Sequence, residues 1–148
     1  MIERMDHINI VVSDLQEAKD FFSLFGFQEN DSSDLSGEWI SAVVGLKDVR
    51  ARYVALSLPG SSTNLELIEY ESPGSQSDPH TGKANQIGLR HLAFEVEDID
   101  QEVQRLTEAG VAFMSPVKTY PKTGKRLVYF HGPDGILMEL AEYPKARP

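Results

Sequence analysis

Two histidines and two glutamates recur at matching places in the two halves of this 148-residue chain. His7 lies in Met5-Asp6-His7-Ile8-Asn9-Ile10-Val11-Val12-Ser13-Asp14-Leu15, and His91 in Leu89-Arg90-His91-Leu92-Ala93-Phe94-Glu95-Val96-Glu97-Asp98-Ile99. Glu66 lies in Leu65-Glu66-Leu67-Ile68-Glu69-Tyr70, and Glu139 in Met138-Glu139-Leu140-Ala141-Glu142-Tyr143. Imidazole nitrogen with carboxylate oxygen suits Zn, Ni, Co, Mn or Fe, with water completing the coordination. Calcium prefers oxygen alone and does not call for two histidines. A lone histidine or mid-strand glutamate is ordinarily a solvated polar group. Four of them, ordered His-then-Glu in both halves, are not accounted for in that way. They predict a divalent-metal site of His7, Glu66, His91 and Glu139.

Elements that would carry these residues follow from periodicity. Residues 5 to 12 alternate as a strand does, with Ile8, Ile10 and Val12 on one face and His7, Asn9 and Val11 on the other. The second copy places Leu92, Phe94 and Val96 opposite His91, Ala93 and Glu95. An amphipathic helix follows each strand. The first begins at an Asp14 N-cap, shows Leu15, Ala18, Phe22 and Phe25 as a stripe, and stops at Gly26. The second begins at Asp98, shows Ile99, Val103 and Leu106, and stops at Gly110. The histidines therefore face away from the helices, where a site belongs and a core does not.

Further strand-like segments are predicted at 26–29, 39–44, 52–58 and 64–70, and at 111–114, 126–130 and 136–143, with another near Val117. Pro59-Gly60 and Gly132-Pro133-Asp134-Gly135 supply the turns before the two closing strands. Each half reads β-α-β-β-β, an α+β organisation. A single domain is expected, with a first module at 5–71, a linker at 72–86 and a second module at 87–143. The linker is rich in Ser, Pro, Gly and Asp and has no periodicity.

Alternation also nominates substrate contacts. Asn9, Ile68 and Tyr70 share a face with the ligand candidates, and Tyr129 in the penultimate strand can reach the site. His131 occupies a turn and His80 the linker, so both read as solvated. Two basic segments, Arg50 with Arg52 and Lys122 to Arg126, read as solvated strand edges.

Composition bounds the function classes. Apolar residues make up 41% and charged residues 25%, which is globular. No cysteine is present, so disulfides, thiolate metal sites and cysteine nucleophiles are excluded. Fourteen basic against 23 acidic residues give a net charge of −9, which disfavours nucleic acid. Met1-Ile2-Glu3-Arg4 lacks a signal-peptide layout and no apolar run is of membrane-spanning length, so a soluble cytoplasmic protein with no membrane association is expected.

The paired strand-helix openings, the Gly-Pro-Asp-Gly turn before Met138-Glu139-Leu140 and the His, Glu, His, Glu order resemble the vicinal oxygen chelate superfamily. That group includes glyoxalase I, methylmalonyl-CoA epimerase, extradiol dioxygenases, fosfomycin-resistance enzymes and bleomycin-binding proteins. The resemblance extends from about Met5 to Tyr143. It implies two tandem β-α-β-β-β modules forming a curved mixed sheet around a metal, and it carries the family's ligand positions onto His7, Glu66, His91 and Glu139. It also implies a homodimer, with the metal held within one chain or shared between two.

Within the superfamily, Glu66 points to the proton-transfer branch. Glyoxalase I resembles this chain in having Glu at the second position, whereas extradiol dioxygenases and fosfomycin enzymes leave that position without a ligand. The resemblance implies a metal-dependent lyase or isomerase that abstracts a proton α to a carbonyl of a small-molecule substrate, with Glu66 and Glu139 as candidate catalytic carboxylates. Glu38 is the candidate for a second acid. The alternatives are an Fe(II) extradiol-type dioxygenase and a non-catalytic drug-binding protein.

Overall fold

Strand β1 (His7–Val11) lies parallel to β4 (Asn64–Ser72), with Asn9 opposite Glu66, in a computed structural model that describes residues 1–145. The described chain forms two compact units, Met1–Ser77 and Asp78 onward. In the first, β3 (Arg50–Ser57) pairs antiparallel with β4, and β2 (Gln28–Ser36) pairs antiparallel with β3. The sheet order is β1-β4-β3-β2, a mixed sheet whose one parallel pair requires a crossover. Helix α1 (Leu15–Ser23) supplies it.

The start of α1 is chemical. Asp14 is extended, and its carboxylate accepts the Glu17 N–H at 2.8 Å, satisfying one of the helix's orphan donors. The helix buries Ala18 and Phe22 against the sheet and ends before Gly26, whose φ of +86° suits a residue without Cβ. Phe22 meets Phe21 and Phe27 edge-on at 5.6 and 5.7 Å between ring centres. Truncating such a fully buried ring to alanine costs about 3–5 kcal/mol.

Residues 39–44, expected as a strand, lie instead in helix α2 (Glu38–Val44). Trp39-Ile40-Ser41-Ala42-Val43-Val44 has no period-2 alternation, and Gly45, at φ +71°, closes the helix in the left-handed region. Ile40 packs on Val49 and Ala51, with Leu35, Ile68 and Tyr70 around it. The preceding strand is correspondingly longer than expected, with β2 continuing to Ser36 as an exposed polar edge.

In the second unit, β5 (His91–Glu95) is parallel to β8 (Leu137–Glu142), which is antiparallel to β7 (Arg126–His131). A two-residue β6 (Lys118–Thr119) completes the order β5-β8-β7-β6. Helix α3 (Ile99–Glu108) is capped by Asp98, whose side chain accepts from Asp100 and Gln101 N–H at 3.1 and 3.0 Å. It buries Ile99 and Leu106 completely. The strand expected at 111–114 is reduced to a single bridge between Phe113 and Phe130. Segment 72–86 is partly ordered by turns. Arg90 donates to the carbonyls of Thr81 and Lys83 at 3.3 Å, and His131 Nε2 lies 3.2 Å from the Gly82 carbonyl.

The duplication holds in strand register and in the hydrogen bonds that join strand to helix. Ala93 stands opposite Glu139 as Asn9 does opposite Glu66, and Val12 and Val96 donate to the Ile68 and Ala141 carbonyls, both at 2.8 Å. Each closing strand also carries a second glutamate three residues after the first, so the two point to opposite faces. On the helix side, Glu69 accepts the Leu15 N–H at 2.8 Å and Glu142 accepts the Ile99 N–H at 2.7 Å. Arg52 supports Glu69 at 2.9 Å and Arg126 supports Glu142 at 3.4 Å. A carboxylate at a helix N-terminus is worth about 0.3–2 kcal/mol, and here it also ties each helix to the strand that carries a candidate ligand. No helix among the described residues is long and apolar enough to cross a membrane.

Candidate metal-binding pairs and the cleft beside them

In the first unit, His7 Nε2 lies 3.3 Å from Glu66 Oε2. The other ring nitrogen, Nδ1, lies 3.0 Å from Asp6 Oδ2, and Asp6 is itself paired with Arg4 at 2.6 Å. The Asp6 hydrogen bond raises the His7 imidazolium above its ordinary range, with Glu66 adding to the effect. Its counterpart, the Asp6 carboxyl, is lowered by His7 and then by Arg4. A neutral His7 donating Nδ1–H to Asp6 presents the Nε2 lone pair toward Glu66. That is the arrangement by which an outer carboxylate orients a metal-binding histidine.

In the second unit, His91 Nε2 lies 3.1 Å from Glu139 Oε2. Glu139 is 3% exposed, and a buried carboxylate needs compensation. Lys125 provides it, with Nζ 2.6 Å from Oε1. The same contact raises the Lys125 ammonium. Tyr129, directly opposite Glu139 in the β7–β8 register, brings its ring to 5.1 Å from His91, and burial and then Glu139 push its hydroxyl upward.

The basic segments are therefore not merely solvated strand edges. Arg126 bridges Asp100, at 2.7 and 2.8 Å, and Glu142, while Lys125 turns the other way to Glu139. Parity carried this signal. Lys125 and Tyr129 are four residues apart along an extended segment and share a face, whereas Arg126 falls on the helix side. Arg52, opposite Glu69, is the counterpart of Arg126, opposite Glu142, so Ala51 stands where Lys125 stands and Ala55 where Tyr129 stands. Glu66 thus has no ammonium in the equivalent place, and its side chain is 29% exposed against 4% for Glu139.

A cleft of about 480 Å³ opens over the first pair. His7, Asn9, Glu66, Ile68 and Tyr70 form its sheet side, and Trp39, Ile40, Val43 and Val44 of α2 form a wall. Asn9 and Tyr70 are thus gathered with His7 and Glu66. Tyr129 is gathered with His91 in the other unit. Glu38 is not part of this cleft: it lines a shallow depression with Ser41 and Ala42 on a different side of α2.

Residues 4–140 match the family described as the glyoxalase/bleomycin resistance protein/dioxygenase superfamily. The chain belongs to that superfamily. It is similar to the Bacillus subtilis protein YwkD, at 34% identity over 96% of this chain and 98% of the relative. It is also similar to a 2-epi-5-epi-valiolone epimerase of an Actinomyces species, at 30% identity over 96% of this chain and 80% of the relative. The crystal structure of a glyoxalase family protein from Bacillus cereus superposes with a TM-score of 0.88 at 34% identity, covering 97% of this chain and 95% of that one. Among the described residues, the two four-stranded mixed sheets and three α-helices are those of the glyoxalase fold.

The donor chemistry of this superfamily member fits a divalent ion pair by pair. Two adjacent ligands each about 2.1 Å from one ion lie roughly 3.0–3.4 Å apart, depending on whether the geometry is octahedral or tetrahedral. The nitrogen-to-oxygen separations of 3.3 and 3.1 Å fall in that interval. Each unit would supply two donors. Among the described residues no three or more His, Asp or Glu side chains are arranged to hold an ion.

Proposed function

We propose that this protein is a metal-dependent isomerase or lyase that removes a proton α to a carbonyl of a small oxygenated substrate. The observation that carries this reading is the recurrence of one His–Glu pair, at one register and nearly one spacing, in both units. His7, Glu66, His91 and Glu139 would hold one divalent ion (Zn, Ni, Co, Mn or Fe), either within a chain or across a homodimer. Two imidazoles and two carboxylates leave a neutral donor set after the ion's charge is counted, with room for substrate oxygens. Such an ion would act as a Lewis acid on the substrate's oxygens.

The two carboxylates are placed for different tasks. Glu139 is engaged on both oxygens, by Lys125 at Oε1 and by His91 at Oε2, so a proton arriving at Oε1 would have to displace the ammonium. It serves best as a fixed anchor. Glu66 is paired with His7 through Oε2, is more open, and lines the cleft with Asn9 and Tyr70. It is the better candidate to take the proton and return it. Asn9 and Tyr70 can bind and orient the substrate's polar groups on the same side of the sheet. An epimerase is an isomerase by name, and the Actinomyces relative so named supports that part of the reading.

The test couples metal analysis to proton exchange. Protein purified without a tag and reloaded anaerobically with each ion is offered hemithioacetals, acyl-CoA thioesters, hydroxyketones and catechols in D₂O. Incorporation of deuterium at the α carbon, lost in Glu66→Gln with metal content kept, is expected. Oxygen consumption with catechols and no exchange with any carbonyl compound would overturn it.

A further inference from the structure

The wall of the cleft over His7 and Glu66 has a chemistry that the four candidate ligands do not explain. Trp39 and Val43 are 70% and 63% exposed although both are large and apolar. Both belong to α2, whose Ile40 is anchored on Val49 and Ala51, so the apolar wall stands on a fixed base. Leu35, Val44 and Ile68 extend the apolar lining. Lysine and arginine are absent from the cleft's lining, and its one carboxylate, Glu66, repels anions. In a chain of net charge −9, no broader field offsets this. An anionic tail seated here would lose water and meet only His7, already held between Asp6 and Glu66, and the uncharged Asn9, Tyr53 and Tyr70, whereas a hydrocarbon group would cover exposed tryptophan and valine.

We infer that this cleft selects an uncharged, apolar ring or branched chain bearing neighbouring oxygens, with Trp39, Val43 and Val44 of α2 as the selecting wall. The oxygens would meet His7 and Glu66, a step that rests on the metal reading above. The apolar preference itself does not. A phosphate- or carboxylate-bearing portion of a substrate would have to lie outside this cleft.

Trp39 is the single tryptophan of the chain, so its indole N–H is a unique reporter of the wall. The full-length protein labelled with ¹⁵N is titrated with α-hydroxyacetophenone and with its para-carboxylate, with and without Zn²⁺. The neutral compound is expected to shift the Trp39 signal saturably and to bind at least tenfold more tightly than the carboxylate. Val43→Asp, at an exposed position, is expected to weaken the neutral ligand at least tenfold while the rest of the amide spectrum is kept. Equal binding of the two compounds, or a Trp39 signal that neither moves, overturns the inference. Glu66→Gln separates the two readings. If the neutral preference persists there and Zn²⁺ does not alter affinity in the parent protein, the apolar wall is upheld and the metal reading fails.

Discussion

Lys125 Nζ sits 2.6 Å from Glu139 Oε1, an ammonium set against a carboxylate that is 3% exposed. Removing one partner of a buried ion pair leaves the other desolvated and uncompensated, at about 3–5 kcal/mol when burial is complete. Lys125 is 24% exposed, so water can replace part of it. Lys125→Met is therefore expected to destabilise the metal-free protein by about 1–3 kcal/mol. A double-mutant cycle with Glu139→Gln, read by urea denaturation, checks it. The double variant should lose clearly less than the two singles added together, and strict additivity would show that the contact does not matter.

Asp6 acts on the other pair through His7. Its hydrogen bond to Nδ1 fixes the ring so that Nε2 faces Glu66, although the carboxylate itself is well exposed. Loss of such an outer partner typically weakens metal binding 10–100-fold, and exposure puts this case near the lower end, about tenfold. Calorimetric titration of Asp6→Asn with Zn²⁺ should show that loss with little change in thermal stability. An unchanged affinity would mean that Asp6 does not orient a ligand.

How much of this was legible in the sequence depends on which residues carried a period. His7 and His91 announced themselves because alternation put them opposite Ile8, Ile10, Leu92 and Phe94, and because Asp14 and Asp98 marked the following helices. Alternation also placed Glu66 and Glu139 between apolar neighbours. Residues 39–44 were misread because a short, mostly apolar run, broken only by Ser41, fits a buried strand or a helix equally well. Length did not arbitrate, and the flanking Gly37 and Gly45 were the signal that did. Lys125 was missed for a different reason. It precedes its strand, inside a cluster of basic residues whose bland explanation is solvent, and only its parity with Tyr129 connects it to Glu139.

Glu69 and Glu142 were passed over for the opposite reason, since they sit beside more conspicuous glutamates. Each accepts the first N–H of a helix and receives an arginine, a charge-assisted arrangement toward the upper end of the helix-terminus range, about 1–2 kcal/mol. Glu69→Ala and Glu142→Ala are expected to cost that much each. The local signature is faster amide hydrogen exchange at Leu15 and Ile99. Glutamine at either position should recover part of the loss, because it keeps an acceptor while giving up the charge. Exchange at those two amides that is no faster than in the parent would sink the capping role.

Asp100 offers a pH test of the same framework, because Arg126 reaches it as well as Glu142. The Arg126 hydrogen bond holds the Asp100 carboxyl below its ordinary value in the folded protein. A group whose folded pKa is depressed contributes stability above its unfolded pKa, near 4 for aspartate, and loses it as pH falls through the folded value. The contribution is therefore present at neutral pH and disappears only in acid. Because Asp100 is on the surface, salt should shrink it. Carboxyl ¹³C titration by NMR should show Asp100 ionising below a normal aspartate, and Arg126→Leu should return it upward. In the same variant, the difference in stability from the parent should narrow between neutral pH and pH 3, as the partner that Arg126 serves becomes neutral. If Asp100 titrates alike in both proteins, the bridge from α3 to β7 is not formed in solution.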